Sequence, residues 1–165
     1  MPLRSSLPSL LALLLAAACT GPAGPGPQEA NFPKGSRTSA NAALQLELTA
    51  ARYEMRLVSI EVALHNPGQT ALTLERQGIL LEYNQLEFPV TDLGTEVLAN
   101  EIVVDPGATI QLQLGFVTEQ ALLEAAKLHV MSIRRGPESW AEPLTIAVPP
   151  PAAFVDAATE PDPEA

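Results

Sequence analysis

The chain has 165 residues, 47% hydrophobic and 17% charged, with a formal net charge of −10. That is enough apolar material for one packed domain with tails. It is too acidic for a surface that replaces nucleic-acid counterions or docks electrostatically on anionic lipid. A single cysteine excludes an internal disulfide framework and a cysteine-rich zinc site.

Residues 1–18 read MPLRSSLPSLLALLLAAA. Arg4 precedes an apolar run at 10–18, shorter than the roughly 20 residues a membrane-spanning helix needs. Charge, a short apolar stretch and then small residues predict a secretory signal peptide over 1–18. Ala16, Ala17 and Ala18 lead into the only cysteine, Cys19. This junction resembles the lipobox of bacterial lipoproteins, with Ala17 and Ala18 in the small positions and Ala16 in place of the family's usual Leu. The resemblance implies cleavage between Ala18 and Cys19, a diacylglyceryl thioether on Cys19 and a further fatty-acyl chain, palmitate in type, on the new amine. Thr20, where Asp would hold a Gram-negative lipoprotein on the inner membrane, implies outer-membrane sorting. The expected location is therefore exported and lipid-anchored, on the periplasmic face of an outer membrane or on the cell surface. The alternative is a plain signal peptide cut after the Ala-x-Ala triplet, leaving Cys19 free. Each buried CH₂ contributes about 0.8 kcal/mol, so two or three chains anchor stably where one does not.

The stretch 19–41 is dominated by Gly, Pro, Ser and Asn and is predicted to be a flexible tether behind the lipidated cysteine. Its glycines are not a phosphate loop: Pro22, Pro25 and Pro27 remove N–H donors, and no Gly-Lys-Ser/Thr follows. The stretch 149–165 is proline-rich and acidic and is predicted to be a disordered tail, with Phe154 and Val155 able to dock weakly.

Between them, residues 42–148 alternate with period two. The inward sets are Leu44, Leu46, Leu48; Val58, Ile60, Val62, Leu64; Leu72, Leu74; Ile79, Leu81, Tyr83; Phe88, Val90; Ile102, Val104; Ile110, Leu112, Leu114, Phe116; Leu128, Val130; and Leu144, Ile146, Val148. Parity shifts after Gly78, which suggests a bulge there. Asn66-Pro67-Gly68 and Asp105-Pro106-Gly107 supply turns. The predicted fold is all-β: an Ig-like antiparallel sandwich of seven to eight strands. One short helix is expected over 118–127 (TEQALLEAAK), with Thr118 as cap and Leu122, Leu123 and Ala126 on its packed face. VSIEVALHNPGQTALTL at 58–74, DPGATIQLQLGF at 105–116 and the following TEQALLEAA resemble the late-embryogenesis-abundant type 2, or water-stress, domain. That family implies a stress-protective or interaction role and no catalytic residues.

Chemistry-bearing residues are sparse. The two histidines are His65, beside the Asn-Pro-Gly turn, and His129, in an expected strand. No Gly-x-Ser-x-Gly elbow, His-Glu-x-x-His pair or Asp-rich calcium loop occurs. His129 and Met131 fall on one strand face, and imidazole with thioether, Met55 adding a second sulfur, suits copper. The plainer reading has Met131 filling a core gap and His129 near the surface. Asp92, Thr95 and Glu96 are a possible calcium loop or simply a solvated one. Trp140 is either a partner-facing aromatic or a plug for the sandwich end, and Arg134-Arg135 a solvated strand end. The expectation is a non-catalytic envelope lipoprotein that binds a protein partner, with no enzyme activity, no cofactor, no metal site and no nucleic-acid contact. The alternative is a periplasmic small-ligand or copper carrier.

Overall fold

The computed structural model describes residues 26–92, 98–137 and 139–151. In β3 (Gln45–Glu54) and β4 (Leu57–His65) the alternation does what it predicts. Leu46, Leu48, Val58, Ile60, Val62 and Leu64 are each at most 1% exposed. Burying one such side chain contributes about 1.5–3 kcal/mol. These two strands and β9 (Thr109–Val117) are the body of the first layer, in the order β3-β4-β9. β1 (Gln28–Asn31) and β2 (Thr38–Ala40) both pair with the outer edge of β3.

The second layer is two four-stranded sheets. One has the order β13 (Leu144–Val148), β10 (Ala126–Val130), β6 (Ile79–Tyr83), β7 (Leu86–Pro89). The other has the order β12 (Ser139–Trp140), β11 (Ile133–Arg135), β5 (Leu72–Glu75), β8 (Glu101–Val104). The chain passes directly from β5 to β6 and from β10 to β11, and bonds cross the break: Glu75 N–H to Ser132 O at 3.1 Å and Met131 N–H to Gly78 O at 2.8 Å. The two sheets are thus halves of one layer, and every strand pairing is antiparallel. Phe116, Leu81, Leu128 and Leu74 fill the space between layers.

The seams between layers are stitched. Thr91 N–H donates to Gly115 O at 2.7 Å on one side. On the other, the Tyr53 hydroxyl donates to Pro149 O and the Asn41 amide to Glu142 O. Burial pushes the Tyr53 phenol well above its ordinary pKa, so it remains a donor. The two predicted turns lie together. Buried Asn66 donates its side-chain amide to Thr70 O and Val104 O, both at 2.9 Å, and accepts from Gly68 N–H. Its backbone N–H reaches Ala108 O and its carbonyl accepts from Gly107 N–H.

Three sequence expectations need correction. The helix over 118–127 does not form. Thr118 N–H bonds Arg56 O, the Tyr83 hydroxyl donates to Ala121 O and accepts from Leu123 N–H, and Ala126 already opens β10. Tertiary partners take the backbone groups that a helix would use. Second, the folded body starts before residue 42, because β1 and β2 lie inside the stretch expected to be tether. Third, Gly78 ends a 3-10 turn, Arg76–Gly78, and the register shift of the first layer lies elsewhere, between Leu48 and Ala50. The start of the expected tether, residues 19–25, and the tail beyond Pro151 lie outside the described residues, as does the 1–18 signal segment.

Candidate functional site

The outward residues of the first layer are polar or small: Glu47 and Thr49 on β3, Ala63 and His65 on β4, Thr109 and Gln111 on β9. Ala63 sits between longer neighbours and makes a dent. The 32–37 segment walls it: Arg37 lies over the Phe32 ring, 4.9 Å from the centroid, and Gly35 N–H donates to the Glu47 carboxylate. Gly35 has φ +75°, which only glycine adopts without strain. The result is a concavity of about 790 Å³, reached by Phe32, Lys34, Glu47, His65, Thr109 and Gln111. It lies beside β9, whose other edge is, among the described residues, bridged by Thr91 at Gly115.

His65 is oriented within this site. Its Nδ1 lies 3.2 Å from Ala108 O and 3.0 Å from Thr109 Oγ1. A carbonyl only accepts, so a proton on Nδ1 would satisfy Ala108 O, while the Thr109 hydroxyl can either accept from Nδ1 or donate to it. The surface can offer hydrogen bonds, one ammonium and one imidazole to a polar ligand or an extended peptide.

His129 is not brought to this site. It faces outward from β10, with Nε2 2.9 Å from Glu82 Oε2 and Nδ1 2.9 Å from Thr145 Oγ1. Both ring nitrogens are engaged. Met131 falls beyond the end of β10, and Met55 is in the β3–β4 turn with φ 51°. The copper constellation is therefore not assembled. Lys127 lies 3.4 Å from Glu82 Oε1, and these hydrogen bonds hold the Glu82 carboxyl below its ordinary pKa, His129 foremost.

Asp92 serves as a structural partner. Its Oδ1 is 2.8 Å from Arg76 Nη2 and accepts from Leu98 N–H at 3.1 Å. Arg76 also donates to Leu98 O and Val90 O, tying both flanks of 93–97 to the second layer. Thr95 and Glu96 lie outside the described residues, as do Ala18, Cys19, Phe154 and Val155. Trp140 does not plug the sandwich: it is 58% exposed on two-residue β12. Arg134 pairs with Glu101 at 3.0 Å, and Arg135 is solvated. Among the described residues no helix is long and apolar enough to cross a membrane.

The residues that sequence reasoning missed are Phe32, Lys34, Glu47 and Gln111. The available signal was Phe32, a lone aromatic in an otherwise Gly/Pro/Ser stretch, five residues before an arginine.

No family model and no curated protein matches the chain. Among solved structures, the fold is similar to a Bacillus subtilis protein described as a "putative lipoprotein (ycdA)", with TM-score 0.58 and 14% identity over 72% of this chain. The match spans 41% of that protein's length. The yjhA protein of Bacillus subtilis matches with TM-score 0.44 and 15% identity, over 56% of this chain and 76% of its own. The first likeness establishes a shared β architecture.

Proposed function

We propose that the chain is a non-catalytic envelope lipoprotein, acylated at Cys19, whose sandwich is a protein-interaction or structural module. The observation that carries this is the Ala16-Ala17-Ala18-Cys19 junction, placed only eight residues before the first strand. The fold likeness to a protein described as a "putative lipoprotein" supports it. Thr20 favours the outer membrane, on its periplasmic face or at the cell surface. The partner-binding surface is the concavity around Ala63 together with the adjacent β9 edge, where an extended segment can add to the sheet. A second reading, carriage of a small polar ligand, is favoured by the size of that concavity and the His65 imidazole on its wall.

The intact mass of the membrane form tests the anchor: it should begin at Cys19 and carry acyl groups, and a free thiol there sinks the proposal. Ala63→Arg tests the surface. Partner capture should be lost while folding and anchoring persist; unchanged capture places binding elsewhere.

A further inference from the structure

The described residues include seven large apolar side chains that are strongly exposed, and four of them lie at one end of the sandwich. Met55 (81%) is the tip of the β3–β4 turn. Val117 (54%) is the last residue of β9, opposite Leu57 and next to Thr118, which bonds Arg56 of that same turn. Leu123 (79%) stands on the 118–125 connection, held by the Tyr83 hydroxyl, and Leu86 (47%) is paired with Tyr83 across the β6–β7 hairpin. Val103, Met131 and Trp140 lie instead on the β12-β11-β5-β8 half or at the break.

The chain enters at this same end. β1 begins at Gln28 opposite Tyr53, next to the Met55 turn, and its four residues run away from it. The last described segment also leaves here, since Pro149 is bonded to Tyr53. Only residues 20–27 separate Cys19 from β1, and eight residues span at most about 28 Å however they are arranged. An acylated Cys19 therefore holds the Met55–Leu123 end near the lipid surface and leaves the concavity at Gln45 and His65, at the other end of β3 and β4, facing away.

We infer that this end is a membrane-docking surface, with Met55 and Leu123 entering the headgroup–acyl boundary and Val117 and Leu86 at its rim. The inference rests on acylation of Cys19. Its occupant is lipid because β1, the first strand after Cys19, begins at the same end of the sandwich, opposite Tyr53, and the eight residues between are too few to keep that end far from the bilayer. The surrounding charges are Glu54, Glu87, Glu119 and Glu124 against Arg52, Arg56 and Lys127, so the surface is net acidic. Attraction is apolar, and anionic lipid opposes it.

The test uses the full acylated chain in vesicles containing brominated phosphatidylcholine. A bimane label is placed in turn through Met55→Cys, Leu123→Cys and, as the control on the far half, Val103→Cys. Circular dichroism confirms the fold of each. Quenching at positions 55 and 123 should exceed that at 103 by about twofold or more, as expected for side chains entering the interface. Replacing the zwitterionic lipid by phosphatidylglycerol carrying the same brominated chains should reduce the quenching. Equal quenching at 55, 123 and 103 in a protein whose mass shows the acyl anchor overturns the docking surface and leaves the anchor standing. Label appearing at Cys19 itself reports instead that acylation has failed. Protection of positions 55 and 123 without quenching, as a second copy or a protein partner would give, also overturns it.

Discussion

In the first layer β3, β4 and β9 run nine or ten residues each, and one register shift between Leu48 and Ala50 is the only irregularity in their pairing. In the second layer, by contrast, both central strands are cut in two, at Arg76–Gly78 and at Met131-Ser132. The apolar side changes from even to odd positions across each cut: Leu72 and Leu74 become Ile79 and Leu81, and Leu128 and Val130 give way to Ile133. These strands are partners, Val130 opposite Ile79 and Ile133 opposite Leu74. If only one reset its parity, one half of its length would turn apolar side chains to water. A bulge can be absorbed by one strand; a parity reset in the middle of a layer has to be made by neighbours together.

The largest effect should come from the uninterrupted layer. Phe116 is fully buried on β9, and Phe116→Ala should cost about 3–5 kcal/mol, read as a lower urea midpoint with one cooperative transition. A transition split between probes of the two layers would show that they do not unfold together. Next comes the break. A Cβ on Gly78 would stand 2.5 Å from Ser132 Oγ and 2.7 Å from Ser132 N, so Gly78→Ala should cost about 1–3 kcal/mol by overpacking. Adding Ser132→Gly should recover only part, because the backbone nitrogen stays; full recovery would mean that the hydroxymethyl group alone sets the close approach. The smallest effect belongs to Glu82 on the outer face. Its pKa is lowered by His129 and Lys127, so its contribution is present above the ordinary carboxylate pKa and is lost as pH falls through the folded value. Glu82→Gln should flatten that acid-side slope in an acid-unfolding series.

The comparison also explains what was legible beforehand. Alternating Val, Ile and Leu marked every long strand, because half-buried strands must repeat every two residues. The shift at Gly78 was visible too, although its structural form was not: the residue that makes a glycine necessary, Ser132, is distant in sequence. β1 (QEAN) and β2 (TSA) were invisible, since they are edge strands held by backbone pairing with little apolar burial. The wall of the concavity was lost with them. The helix expectation failed because Leu122, Leu123 and Ala126 mimic one helical face, while their actual fates are a core plug, an exposed tip and a strand start. Cys19 lies outside the described residues, and the oriented ring of His65 was not legible because it depends on Ala108 and Thr109, more than forty residues away.

The direction in which β1 runs has a mechanical consequence. Its first residue is the one nearest Cys19 in sequence, and its four pairs with β3 have hydrogen bonds perpendicular to the strand axis. If Cys19 is acylated as proposed, a pull from it against a load on the far end would act along that axis. It loads the bonds between β1 and β3 sideways and simultaneously, the shear geometry in which rupture of one bond is shared by the rest. Entry from the opposite end would have let the same force peel the strand away one pair at a time. A four-residue edge strand with almost no apolar burial is thereby placed where it resists tension best.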